Sequence, residues 1–196
     1  MPFSHKYLTC NRIKENIRLT GKLLIAKPYL GDPNFERSVV LVCAHGEEGA
    51  FGLVLNQATD KVLSDFFEDV MADSPVFMGG PVENRTLHFL HKRGDIVEGA
   101  IELQEGLYWS GDFEQIKTLL NTGLLKENEI RFYLGYSGWG EGQIEKELQE
   151  DVWVLADGSV EVVFGSDTSQ IWRNALRKLG GNYIIMANSP SDPRLN

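Results

Sequence analysis

Apolar residues fall mostly in short runs or in strict alternation, and helical spacing returns in only a few stretches. "KLLIA" predicts the first strand, after which Pro28, Gly31 and Pro33 in "KPYLGDPNFERS" interrupt regular structure. "SVVLVCAH" holds six consecutive apolar residues, Val39 to Ala44, and "FGLVLN" follows beyond "GEEG". Two buried strands so close together predict a hairpin. "SPVFMGGPV" reads as a short strand ending in a glycine corner, and "RTLHFLH" alternates like a half-buried strand. Gly99 and Gly106 break "DIVEGAIELQEGLYWSG" into short β pieces, and "EIRFYLGY" returns as a core strand. "VWVLADGSVEVVF" divides at Asp157 and Gly158 into two strands, which a hairpin turn or a loop can join.

Intervals of three and four place Val62, Leu63, Phe66, Phe67 and Val70 on one face, predicting a helix over "DKVLSDFFEDV" with Asp60 as an approximate cap. Asp112 and Gln115 have capping-box spacing before Phe113, Ile116, Leu119 and Leu120, and Gly123 suits the stop. Asp167 and Gln170 repeat that spacing before Ile171, Trp172, Ala175, Leu176 and Leu179, and a glycine pair follows. The tail "NYIIMANSPSDPRLN" opens with a short buried run and ends in turn chemistry, while residues 1–18 suit a short helix or a peripheral extension. In "LGYSGWGEGQIEKELQEDVW", Gly138, Gly140 and Gly142 permit a sharp strand-to-helix turn beside Tyr136 and Trp139, with Ile144 and Leu148 anchoring the helix.

Composition narrows the class. The 196 residues, 42% hydrophobic and 24% charged, suit a single folded domain spanning 1–196 that needs neither metal nor disulfide. The net charge of −9 opposes generic attraction to nucleic acid or anionic membrane. Two cysteines, Cys10 and Cys43, do not make a secreted scaffold, and Cys43 inside its apolar run reads as a buried thiol. No stretch approaches the roughly 20 apolar residues of a membrane span, and no targeting core develops at the amino terminus. A cytoplasmic protein without membrane insertion is the expectation.

Candidate chemistry is scattered. "GDPNFERS" places Asp32, Asn34 and Arg37 in a polar turn, where Arg37 can clamp a carboxylate or phosphate or the group can simply hold the turn. His88 and His91, three apart on a strand, point to opposite faces and make poor metal partners, so neither a metal nor a cofactor is expected. His45, His88, Ser38, Ser110 and Cys43 have no nucleophile-elbow context around them. "MGGP" and "GYSGWGEGQ" match neither the phosphate loop nor the dinucleotide fingerprint, and Glu141 and Glu145 would repel a phosphate at the following helix. Arg173, Arg177 and Lys178 fit the solvated face of an ordinary helix better than a DNA-reading one.

Taken in order, "GKLLIAKPYLGDPNFERSVVLVCAHGEEGAFGLVLNQ", "VFMGGPVENRTLHFLH", "FYLGYSGWGEGQIEKELQEDVW" and "DPRLN" resemble the AlgH/YqgE family from about residue 18 to 196. The resemblance implies an α+β fold whose mixed β structure forms a partial barrel with outer helices. The family's recurring positions stand here as Asn34, Phe35, Arg37, His45, Gly49, Gly52, Asn56, Gly79, Gly80, Pro81 and His88. They continue through Gly135, Tyr136, Gly138, Trp139, Gln143, Glu145 and Leu148. Family labels carry the words transcriptional regulator, yet no catalytic role comes with them and the family is otherwise uncharacterised.

The reading that follows is a ligand-binding or regulatory protein. Asn34, Arg37, His45 and Asn56 are expected to line one polar cleft for a small polar or anionic ligand, closed by His88 or the Trp139 corner, while Gln143 can meet a ligand or satisfy neighbouring backbone. A hydrolase or transferase with an unrecognised site, a DNA-associated regulator and a structural or protein-interaction domain are the alternatives. A protein partner stays open, and direct nucleic-acid binding is disfavoured.

Overall fold

The run Val39 to Cys43 is apolar without alternation because both faces of its strand are covered. Val39, Leu41 and Cys43 face one core, Val40 and Val42 another. A strand buried on both sides reads as continuous hydrophobic sequence. The computed structural model describes residues 18–165 and 167–190. The expected extension over residues 1–18 falls outside that range but for Arg18, as do Cys10 and the carboxyl-terminal "DPRLN".

The fold is mixed α+β, a curled half-barrel sheet with flanking helices. Its strands are β1 (Lys22–Ala26), β2 (Val39–Gly46), β3 (Gly49–Val54), β4 (Ala58–Val62), β5 (Pro75–Met78), β6 (Val82–His91), β7 (Ile101–Gln104), β8 (Leu107–Trp109), β9 (Ile130–Gly140) and β10 (Trp153–Asp157). The main path runs β10-β1-β2-β3-β9-β6-β8-β7, with β4 antiparallel to β5 and β5 parallel to β9. The sheet curls until its two ends approach: the Gly21 carbonyl accepts from the Gln104 side chain at 2.5 Å and from the Gly158 backbone at 3.2 Å.

Five helices are described: α1 (Phe113–Asn121), α2 (Gln143–Gln149), α3 (Val160–Phe164), α4 (Ile171–Leu179) and α5 (Asn182–Ala187). They sort the apolar residues into three cores. Val163 of α3 and Ile171, Trp172, Ala175 and Leu176 of α4 pack into the barrel interior with Leu23, Leu41, Leu53, Leu90 and Tyr133. On the outer surface, α1 covers Phe89, Ile130 and Phe132, while Ile144 of α2 covers Val40, Val42, Trp139 and Trp153. The Trp172 indole donates to the Ala26 carbonyl at 2.7 Å, which fixes α4 against β1.

The predicted strands at the amino-terminal half and the hairpin β2–β3 are present, as is α1. Asp112 accepts from Gln115 N at 3.1 Å, but the Gln115 side chain accepts from Glu98 N at 2.8 Å, so the capping box is only half closed. The second predicted box is also open, because Asp167 accepts from Ser169 N at 3.0 Å and the Gln170 amide turns to Ser169 Oγ.

Three predictions require correction. Residues 60–70 form no α-helix: β4 occupies the start, Leu63–Asp65 make one 3₁₀ turn, and turns follow. Leu63 N donates to Ser74 O at 2.9 Å, so hairpin pairing with β5 takes the backbone that a helix would need, and Phe66 is left exposed. "VEVVF" is the helix α3, not a strand, because Ser159 in extended geometry accepts from Val162 N and starts a helical turn. The tail run is α5, in which Ala187 is buried but Ile184 and Ile185 are exposed. The glycine corner also differs in detail: β9 continues through Gly140, and Gly142 alone, at φ +67, turns the chain into α2.

Candidate functional site

The β2–β3 hairpin has polar chemistry at both ends, and six residue steps along β2, roughly 20 Å of strand, separate Val39 from His45. At the Val39 end, Asn56 Oδ1 accepts from Val39 N and its Nδ2 donates to the Arg37 carbonyl, each at 2.9 Å. Arg37 sits at φ +52, and its guanidinium lies 4.8 Å from the Trp172 ring while donating to the carbonyls of Ser189, at 2.8 Å, and Pro190. Asn34 closes on Asp32 Oδ1 and accepts from Gln57 Nε2 at 2.6 Å. These three residues form one bracket that ties the turn to the hairpin and to the chain beyond α5.

At the other end a β-bulge between Val42 and Ala44 resets the alternation of side chains. His45 is therefore paired with Ala50, which is paired with Trp139, and all three look outward toward α2. His45 Nε2 lies 2.7 Å from Glu145 Oε1. An ionised carboxylate only accepts, so Nε2 carries the proton in this bond. Beside it, Glu147 Oε2 accepts from the Trp139 indole at 2.9 Å and the Trp153 indole at 2.7 Å, and Oε1 accepts from Gln143 Nε2 at 2.8 Å. Gln143 Oε1 in turn accepts from Gly140 N at 3.0 Å. His45, Trp139 and Gln143 thus brace α2 against the sheet.

The bulge leaves Ala44, Phe51 and Gly138 on the opposite, interior-facing side. There an open cleft of about 700 Å³ lies between the Glu47–Glu48 turn and the end of β9, with Phe51 and Tyr136 as its aromatic wall. Gly49 is required for this approach, since at φ +130 a Cβ would stand 2.1 Å from the Trp139 carbonyl. The Phe51 ring lies tilted 4.8 Å from Tyr136 and 5.0 Å from Trp109 and meets His88 edge-on at 5.0 Å, centroid to centroid. Burial holds the His88 pKa below the ordinary histidine range, with Glu83 pulling the other way.

The seven expected site residues therefore divide into three groups. Asn34, Arg37 and Asn56 form the bracket, and His45, Trp139 and Gln143 belong to the α2 brace, though His45 and Trp139 also border the cleft. His88 lies behind Phe51 on the interior side. One cleft shared by Asn34, Arg37, His45 and Asn56 is not formed, because the length of β2 holds them apart. His45 and His88 sit on opposite faces of the sheet, which removes a catalytic arrangement that needs both.

Two residues that sequence reasoning passed over complete the interior picture. Arg131 and Tyr133 lie in register with Leu90 and His88, and all four share the face that looks into the barrel. The Tyr133 hydroxyl is completely buried, and burial pushes its pKa up while Arg131 pulls it down. Cys43, likewise buried, has its thiol pushed well above the ordinary range by desolvation. An arginine inside "EIRFYLGY" was the available signal, since it shares parity with Tyr133 and thus a face. Among the described residues no cluster of three His, Cys, Asp or Glu side chains is arranged for a metal, and no helix is long and apolar enough to cross a membrane.

The AlgH-like family profile, DUF179, matches residues 23–184. A UPF0301 protein of Chlorobaculum tepidum is 47% identical over 180 residues, covering 90% of this chain and 95% of that one. One of Cytophaga hutchinsonii is 45% identical over 178 residues, covering 90% and 98%. The solution structure of the AlgH protein from Pseudomonas aeruginosa superposes with a TM-score of 0.69 at 26% identity, covering 98% of this chain and 100% of that one. A crystal structure from Corynebacterium diphtheriae gives a TM-score of 0.74 at 21% identity, covering 91% and 96%, and shares the fold. The chain belongs to the AlgH/YqgE family, UPF0301, an uncharacterised family whose names here assign neither a reaction nor a ligand.

Proposed function

We propose that the protein is a cytoplasmic ligand-binding or regulatory protein that takes a small polar or anionic ligand at the mouth of the half-barrel. The cleft of about 700 Å³ walled by Phe51 and Tyr136 carries this reading. Concave sites lined by aromatic side chains with a few polar groups nearby are the usual form of a small-molecule site. The sparse cysteine usage suits a reducing compartment.

The test is amide NMR of the labelled full chain against a set of small polar compounds. Binding at the mouth shifts the amides of Gly46, Gly49 and Gly138, and Phe51→Ala weakens it about tenfold or more, the loss of one buried aromatic contact. Compounds that bind while leaving those amides unmoved would place the ligand elsewhere. DNA-reading remains the weaker alternative, because α4 buries Ile171, Trp172, Ala175 and Leu176 in the barrel and Arg177 donates to Asn188 at 3.0 Å.

A further inference from the structure

Buried side-chain polar atoms are nearly always hydrogen-bonded, so unpartnered ones need an explanation. Among the described residues three such atoms lack a partner: His88 Nε2, Arg131 Nη1 and Tyr133 Oη. They are not scattered. His88 is the register partner of Tyr133, and Leu90, two residues on from His88, is the partner of Arg131, so the three side chains stand together on the interior face of β6 and β9.

The charge is equally uncompensated. Arg131 donates through Nη2 to the Gly165 carbonyl, and its guanidinium lies 5.4 Å from the Phe77 ring. Among the described residues no carboxylate pairs with it. The Arg131 Nη1 group makes no hydrogen bond among the described residues, though the guanidinium lies near enough to the Tyr133 hydroxyl to lower its pKa, and an anionic acceptor placed between them would answer its charge. Tyr133, wholly buried, adds an O–H donor, and a neutral His88 can donate or accept. Phe51, the wall of the mouth cleft, packs on His88, so the row begins directly behind the cleft.

We infer that the interior face of β6 and β9 forms a binding site for the oxyanion group of a small ligand, with Arg131 and Tyr133 donating and His88 beside them. This rests on the mouth-cleft reading for the route of entry past Phe51. The chemistry recognised is that of a compact oxyanion, shared by carboxylates and phosphates. The Glu47–Glu48 turn at the mouth disfavours a highly charged ligand, which makes the carboxylate the better fit.

Thermal unfolding of the full chain decides it, with sodium acetate and sodium phosphate as separate arms and sodium chloride at matched ionic strength as the reference. A bound anion raises Tm along a saturating curve, by about 3 to 5 °C near ten times its Kd. Tyr133→Phe, which only removes the unpartnered hydroxyl, should melt no lower than the parent protein in chloride and lose at least half of the anion shift. Arg131→Gln should lose all of it. The proposal is overturned by equal shifts in parent and Tyr133→Phe, the mark of general ion exclusion. It is overturned too by no shift in either arm up to about 100 mM, where a millimolar site would be filled. A Tyr133→Phe protein that melts clearly lower in chloride, with no anion response in the parent, would assign the row to permanently held water and end the proposal.

The same titrations followed by amide NMR separate the two readings. Shifts at Gly46, Gly49 and Gly138 that persist in Tyr133→Phe leave the mouth site standing and remove the interior one. An anion response abolished by Tyr133→Phe without any change at those glycines does the reverse.

Discussion

Two arginines carry opposite lessons. Arg37 lies in a polar turn, the setting from which a ligand clamp is easily inferred, yet its Nη2 donates to two carbonyls, its guanidinium lies over an indole face and Asn56 bridges to its own carbonyl, so it is tied into the fold. Arg131 lies in the middle of an apolar strand, the setting of an ordinary core, yet it retains an unpartnered nitrogen beside an unpartnered phenol. What distinguishes a structural polar group from an available one is whether its bonds are closed, and that is a property of the fold and not of the residue type.

The largest expected effect breaks the closed side of this comparison. Asn56→Ala leaves the buried Val39 N–H and the Arg37 carbonyl without partners, at a cost of about 3 kcal/mol from two lost bonds and one stranded donor. Urea unfolding measures it, and a loss below about 1 kcal/mol would mean that the bracket is not closed as described.

Glu147 is a second closed group, since its carboxylate collects two indole N–H groups and the Gln143 amide. Glu147→Ala is expected to cost about 2 kcal/mol and to shift tryptophan emission as Trp139 and Trp153 lose a common partner. Unchanged emission would show that the indoles do not depend on it.

On the open side the sign reverses. Tyr133→Phe removes a buried hydroxyl that has nothing to lose, so in anion-free buffer the variant should be equal in stability or more stable by about 1 kcal/mol. Destabilisation of similar size would place Tyr133 among the closed groups and cancel the contrast.

Much of the frame was legible in the sequence because it depends on local signals. The apolar run from Val39, buried on both faces through Cys43, announced an interior strand, and Asp112 announced the start of α1. Residues 60–70 misled because a helical period in apolar residues competed with strand pairing to Pro75–Met78, which only the three-dimensional partner reveals. "VEVVF" misled in the other sense, its β-branched residues outweighing the cap at Ser159. The site was less legible still. Nothing in the letters marks the bulge near Cys43, and that bulge decides which side of the sheet His45 faces. Arg131, Tyr133 and His88 become neighbours only through the register of β6 and β9.

The smallest effect is expected from acidification, and it sharpens the contrast within one residue type. His91 is closed: with Nδ1 accepting from Arg93 N at 3.2 Å, the proton sits on Nε2, which donates to Ser110 O at 2.9 Å. His88 is open at Nε2. Burial lowers both pKa values below the ordinary value of about 6.5. The unfolded chain therefore takes up protons first as pH falls, so stability is level above about pH 6.5 and declines progressively below it, toward the lower folded-state values. Urea midpoints at about pH 7.5 and about pH 5.5 should show that decline, beyond the share owed to paired carboxylates at lower pH. His91→Gln and His88→Gln should each flatten it, but only His91→Gln should also cost stability at the higher pH, because only His91 has bonds to lose. Equal losses in the two variants at about pH 7.5 would mean that His88, too, is bonded, and would move it across the division that separates Arg37 from Arg131.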